Sequence, residues 1–366
     1  MDPTQNYIRI FNEALRRLFL DAFWLSLSSP LRAYAFLRTV FMQNKAGSLR
    51  QKWVKKGLPV PAIMITSITA QCNLHCTGCY SRVHTGNQKK ELTVDEWRGV
   101  FSQARDLGIS IVLLAGGEPF MRKDVIRLAG EFPEIIFSIF TNGLLMDDES
   151  ITWISRIRNV VPVISLEGYE KSTDERRGKG TYGRLLRAMD RLSKKNVFFG
   201  ASITATRKNL GIITQDGFIR DLLKTGAKII FFIEYTPVEK STRNLVLTLK
   251  ERDVLTRAVD GFNSRFRAIF EAFPGNEERY GGCLAAGRGF IHVSSSGFLE
   301  PCPFAPYSDT DLKKVSLQQA LQSSFLKTIR ENHSRLTETR GGCALWTNRD
   351  WVSSVLRAGH AEARRT

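Results

Sequence analysis

From Ala62 onward, short apolar runs alternate with stretches of helical period. The runs are Ile63 to Ile68, Ile109 to Leu114, Ile135 to Phe140, Val161 to Leu166, Val197 to Thr204 and Ile229 to Ile233, each the length of a strand. Between them the apolar spacing predicts helices near 94–107, 122–131, 148–157, 182–194 and 213–225, the first opened by a capping box from Thr93 to Glu96. Strands alternating with helices of this length require parallel pairing through right-handed crossovers. Six such units fall short of the eight of a closed barrel, so the expected fold is α/β, either a partial (β/α)6 TIM-type barrel or an open sheet. In both, ligands bind at the C-terminal ends of the strands.

The flanks have a different texture. Residues 1–57 interleave apolar positions (Phe11, Leu15, Phe19, Phe23, Trp24, Leu31, Phe36, Phe41) with Arg9, Arg16, Arg17, Arg32 and Arg38. This predicts two amphipathic helices broken at Ser28-Ser29-Pro30. They either cover the barrel or lie in a membrane interface. A long helical period spans about Leu249 to Phe270, and residues 280–347 turn rich in Gly, Ser and Pro, with a hairpin expected from Phe290 to Val293 and Gly297 to Glu300. The expected division is 1–57 for the basic helices, 58–245 for the core, 246–275 for a connecting helix and 276–366 for a small C-terminal domain.

Composition narrows the setting. Fifty-three Lys and Arg against 36 Asp and Glu leave a net charge of +17 over 366 residues, which favours an anionic partner. No nucleic-acid-binding module or zinc-finger spacing accompanies that charge, so specific nucleic-acid binding is not expected. The most apolar N-terminal stretch, Leu18 to Leu27, is interrupted by Asp21 and is about half the ~20 residues of a spanning helix. Six cysteines, three of them crowded between positions 72 and 79, do not make a disulfide scaffold and point to the reducing cytoplasm. The basic helices leave open peripheral attachment at the inner face of the membrane.

Those three, Cys72, Cys76 and Cys79 in Cys-Asn-Leu-His-Cys-Thr-Gly-Cys-Tyr, lie on the loop after the first strand. Three thiolates so close can converge on one metal centre. A structural zinc site normally takes four protein ligands, and only His75 and His84 are nearby. A cubane cluster held by three cysteines keeps one iron open.

Here the chain resembles the radical S-adenosylmethionine superfamily, whose signature is Cys-x3-Cys-x2-Cys after the first barrel strand. Further motifs recur in order over about residues 62 to 240. Gly116-Gly117-Glu118-Pro119 is similar to the segment that pairs with the methionyl amino group of the cofactor. Thr141-Asn142-Gly143 and Ser165-Leu166-Glu167-Gly168 resemble its ribose and carboxylate contacts, and Arg176-Arg177-Gly178 the segment supplying a basic partner, with Arg177 as the candidate. The residue before the third cysteine, often aromatic in the family, is Gly78 here, and Tyr80 is the candidate replacement at the adenine. The resemblance implies a 4Fe-4S cluster, S-adenosylmethionine, an electron donor such as flavodoxin or ferredoxin, and reductive cleavage to a 5′-deoxyadenosyl radical that abstracts hydrogen from the substrate. No residue stands out as a further catalytic group.

Cys283 and Cys302, spaced Cys-x13-Gly-x4-Cys through Gly297, resemble the opening of the SPASM and Twitch extensions of that superfamily, with Cys343 as the third candidate ligand. The resemblance implies one auxiliary 4Fe-4S cluster. By analogy with peptide-modifying relatives the substrate is a peptide or protein; the basic N-terminus argues instead for an anionic lipid-like molecule. The alternative of another class is a non-catalytic zinc or iron-sulfur binding protein.

Overall fold

The computed structural model describes residues 30–84, 90–273, 282–336 and 343–363, with 13, 16, 17 and 20. The six expected strands form as β1 (Ile63–Thr69), β2 (Ile111–Gly116), β3 (Ile136–Thr141), β4 (Val160–Leu166), β5 (Gly200–Ala205) and β6 (Ile229–Glu234). Three more join them: β7 (Ile269–Phe273), β8 (Phe290–Val293) and β9 (Leu299–Glu300). One sheet results, in the order β7-β6-β5-β4-β3-β2-β1-β8-β9. Every pairing is parallel except β8 with β9. Its two edges, β7 and β9, do not pair with each other, so this is an open, partial barrel.

Strand periodicity divides the side chains between two faces. Met64, Ile68, Val112, Leu114, Phe137, Ile139, Ile164, Ile203, Ile230 and Phe232 belong to the main core with the helices. The alternate positions look inward. Ile63, Ile111, Ile136 and Phe290 gather at the lower, N-terminal ends of the strands with Val40 of the helix Pro30–Lys55. Higher up, Ser67, Ala115, Phe140, Ser165, Thr204 and Ile233 keep part of their surface open. An apolar floor under a mixed polar rim follows from the alternation.

Two features depart from the expected pattern. The helix Leu249–Arg265 ends earlier than its apolar period suggested, and β7 follows it. Phe262, Phe266 and Phe270 fall at helical spacing, but they meet as a cluster of rings 5.4 to 6.2 Å apart that turns the chain from helix to strand. The hairpin forms as expected, His292 opposite Glu300. Its first strand also extends the barrel sheet beside β1, with Ile65 opposite His292.

The second N-terminal helix starts at Pro30, where a missing N–H costs nothing. The first expected helix lies almost wholly outside the described residues. The second is not amphipathic in the expected sense: Gln43 and Arg50 are buried, whereas Leu37 and Phe41 are 54% and 66% exposed. The reason is the loop it covers. Arg50 donates to Gly108 O at 2.6 Å and to Ser110 Oγ at 3.2 Å, and Gln43 pairs with Ser110 through both its amide oxygen and nitrogen. Burial lowers the Arg50 pKa to about 10. This half of the segment is a cover over the lower end of the barrel. Among the described residues no helix is long and apolar enough to cross a membrane.

Replacing Arg50 with Ala leaves the Gly108 carbonyl without this donor and removes buried alkyl packing, a loss of about 2 kcal/mol. Thermal unfolding should show a lower midpoint for Arg50→Ala, and an unchanged midpoint would mean that the helix is not docked through this residue.

Candidate active site

The upper rim is built from the segments after β1, β2, β3, β4 and β6. After β1 the chain enters the cysteine loop, whose start is held by backbone pairing: Gly117 N donates to Thr69 O and Glu118 N to Gln71 O, both at 2.8 Å. This approach leaves no room for a side chain at 117, where a Cβ would stand 2.0 Å from the Gln71 carbonyl oxygen. Glu91 completes the anchor, accepting from Ala70 N at 2.7 Å and Thr69 Oγ1 at 3.0 Å. The Gly-Gly pair thus fixes where Cys72 begins.

Glu118 is 1% exposed. Its carboxylate accepts from Phe120 N, Thr141 Oγ1 and Asn142 N at 3.1, 2.5 and 2.8 Å. Burial pushes its pKa up, and these bonds oppose the rise. Pro119 opens the turn that Glu118 caps. Asn142 in turn donates through Nδ2 to Asn73 Oδ1 at 2.8 Å, inside the cysteine loop. Glu118, Thr141 and Asn142 are therefore spent on joining the rim segments to each other. Ser165 shares a hydrogen bond with Ser202 at 3.0 Å on the inner face.

Glu167, Arg176 and Arg177 form a buried ion cluster. Arg176 and Arg177 both donate to Glu167 Oε1, Arg177 through Nε at 2.8 Å, and Arg176 also donates to Thr204 Oγ1 at 3.0 Å. The Arg176 carbonyl accepts from Thr77 N at 3.1 Å, which ties the cluster to the cysteine loop. Glu167 Oε2 and Arg176 Nε are buried without a hydrogen-bond partner. An orphaned acceptor and donor this close to the cysteines suit an incoming ligand with both polarities.

The thiols of Cys72, Cys76 and Cys79 are free and half-buried. Burial raises the pKa of Cys72 and Cys76; neighbouring thiols add to the rise, while Arg177 and Arg176 oppose it at Cys76. The loop can turn because Gly78 has φ +66, and a Cβ there would meet the Tyr235 hydroxyl at 2.0 Å. Tyr235, at the end of β6, bonds Thr242 Oγ1 at 2.7 Å and lies under the Arg176 guanidinium, 5.9 Å from its ring centre. It fills the space beside the third cysteine. Tyr80 turns to the C-terminal region instead, 4.9 Å from the Phe304 ring. Its hydroxyl pKa is pushed up by burial and by the nearness of both Cys79 and Cys302.

The second cysteine set also converges. Cys302 is buried against Cys343, with Cys283 close enough to add to the upward shift that burial causes. Cys343 Sγ caps the short helix Ala344–Thr347 by accepting from Trp346 N at 3.5 Å. Neither triplet is a finished cage, since among the described residues no group of three His, Cys, Asp or Glu side chains stands ready to hold a metal ion. The donor chemistry is that of iron-sulfur ligation: two sets of three neighbouring thiols, the first beside unpartnered polar atoms.

Sequence reasoning missed Glu91, Arg176 as an equal partner of Arg177, Tyr235, and a buried pairing of His292 with Glu300. Tyr235 was findable as a polar aromatic residue at a strand end; Glu91 carries no local signal.

The radical SAM superfamily profile matches residues 66–206, which contain the cysteine loop and most of the rim. Over those residues the chain carries a radical SAM domain. It is an enzyme, and its cofactors are a 4Fe-4S cluster and S-adenosylmethionine. Among curated relatives it is 29% identical over 219 residues to Fe-coproporphyrin III synthase of Methanosarcina barkeri, covering 58% of this chain and 53% of that enzyme's length. It is 23% identical over 309 residues to PqqA peptide cyclase of Rhizobium meliloti, covering 81% and 79%. Among solved structures, Streptococcus suis SuiB bound to the precursor peptide SuiA aligns with a TM-score of 0.63 at 18% identity, over 85% of this chain and 75% of that one. That likeness establishes the shared fold.

If Gly117 sets the start of the cysteine loop, Gly117→Ala should displace Cys72 and empty the first site. Anaerobic reconstitution followed by iron and sulfide analysis should then find about four irons fewer than in the unaltered protein. A full complement would show that the close approach is dispensable.

Proposed function

We propose that this radical SAM enzyme acts on a peptide or protein, with a second 4Fe-4S cluster held by Cys283, Cys302 and Cys343. The observation that carries the proposal is the closeness of Cys302 to Cys343 and Cys283, in a region that the contact of Phe304 with Tyr80 joins to the first cysteine loop. The alignments that cover most of this chain point the same way, one to a peptide cyclase and one to a protein bound to its precursor peptide. When bound, cluster and S-adenosylmethionine supply one-electron chemistry that removes hydrogen from an unactivated C–H bond.

The chain's own residues divide the remaining work. Cys72, Cys76 and Cys79 hold the first cluster. Gly116, Gly117, Glu118, Pro119, Thr141, Asn142, Ser165 and Glu167 would form the rim that holds the cofactor, with Arg176 and Arg177 as charged partners for its polar groups. Ile65, Leu113, Phe140 and Phe231 give the inner face an apolar lining, which protects reactive species from water. The net positive charge suits an acidic electron carrier such as flavodoxin or ferredoxin.

A second reading, an anionic lipid-like substrate met at a membrane, is favoured by exposed Leu37 and Phe41 near Arg38 and Lys45 on one helix. The two readings separate in one experiment. Reconstituted enzyme, S-adenosylmethionine and dithionite are supplied with the peptide fraction or the lipid fraction of cells lacking the gene. Faster 5′-deoxyadenosine formation with the peptide fraction alone, together with a new peptide mass, is the expected result. Stimulation confined to the lipid fraction would replace the first reading by the second. Joint replacement of Cys72, Cys76 and Cys79 by Ala should abolish 5′-deoxyadenosine, and turnover surviving in that variant would contradict both.

A further inference from the structure

A polar chain crosses the inner face between β9 and β1, just above the apolar floor. His292 Nδ1 stands 2.7 Å from Glu300 Oε2, and His292 Nε2 stands 2.9 Å from Ser67 Oγ. His292 and Glu300 are buried, whereas Ser67 keeps part of its surface open. Both strand neighbours of His292, Ile291 and Val293, turn to the outer core, as do Thr66 and Ile68 beside Ser67. Ser67 and His292 therefore share the inner face with Ile65, which lies opposite His292 in the β1–β8 register.

The order of donors along this chain follows from its end group. A carboxylate only accepts, so Glu300 takes the hydrogen of Nδ1; in the neutral imidazole Nε2 is then the acceptor, and the Ser67 hydroxyl donates to it. This tautomer is assigned from the network. What Ser67 has left is an oxygen that can accept, held in one orientation and open to the interior of the barrel. Packing alone gives no reason to bury a histidine and a carboxylate here, because the positions just below, Ile63, Ile111 and Phe290, are filled by apolar side chains. Neither the cysteine loop nor the Glu118 network uses these groups.

We infer that Ser67, backed by His292 and Glu300, is a substrate-positioning site that accepts a hydrogen bond from an N–H of the substrate. The identity of the donor, a peptide backbone or side-chain amide, rests on the peptide reading above; the location of the site does not. Ser67 sits five residues ahead of Cys72 on the same strand and loop, so a group held there is placed relative to the first cysteine loop. His292 and Glu300 act through Ser67 by fixing its hydrogen.

The test uses the whole reconstituted enzyme, with an extract of cells lacking the gene as the probe. The rate of 5′-deoxyadenosine formation is followed as the extract is diluted. Loss of one hydrogen bond made equally in the ground and transition states raises the half-saturating concentration, here by about fivefold for Ser67→Ala. Ser67→Thr retains a hydroxyl and should half-saturate near the unaltered enzyme. Iron content checks that each variant is folded and loaded. Equal half-saturation for Ser67→Ala and the unaltered enzyme overturns the assignment, and so does an equal rise in both variants, because then the hydroxyl is not what matters. Digesting the extract with protease before use tests the peptide reading separately: stimulation that survives digestion sinks that reading, and the dilution series still decides the role of Ser67.

Discussion

A carboxylate buried as deeply as Glu118 persists only if its oxygens are fully engaged, and Glu118 meets that condition by binding the rim together. It draws in the turn after β2 through Phe120 and the turn after β3 through Thr141 and Asn142. Asn142 passes the constraint to Asn73 in the cysteine loop. The loops of a parallel α/β fold are otherwise separate excursions from separate strands. With Glu118 at their centre, a displacement of one is felt by the others, and the three cysteines inherit their position from the sheet.

A second constraint carries the C-terminal region to the same place. Because β8 pairs with β1, the hairpin is an extension of the barrel, and Cys302 follows β9 by two residues. Cys302 is thereby brought beside Tyr80, which follows the last cysteine of the first loop. The two thiol sets approach through sheet pairing and one aromatic contact between Tyr80 and Phe304.

Much of this was legible in the sequence for physical reasons. The strands buried on both faces appear as continuous apolar runs, and the helix Val94–Leu107 begins at the capping box the sequence shows. The rim motifs were legible because glycine pairs and strand-end polar residues serve close backbone approach and the hydrogen bonds that join one rim segment to the next. What escaped depended on partners distant in sequence. Glu91 matters only because β1 ends beside it, and His292 only because β8 finds β1. The ring cluster of Phe262, Phe266 and Phe270 imitated a helix, since spacing by four does not say where the backbone turns. Gly78 read as a missing aromatic residue; in three dimensions the ring of Tyr235 already stands there.

The most direct measurement is electron paramagnetic resonance of the reduced, reconstituted enzyme before and after S-adenosylmethionine is added. With Cys283, Cys302 and Cys343 replaced by Ala, only the first cluster remains to be observed. Three thiols beside unpartnered Glu167 and Arg176 atoms predict that the cofactor would bind next to the cluster these thiols would hold, so the signal should shift when it is added. A cluster signal that the cofactor leaves unchanged would contradict the account.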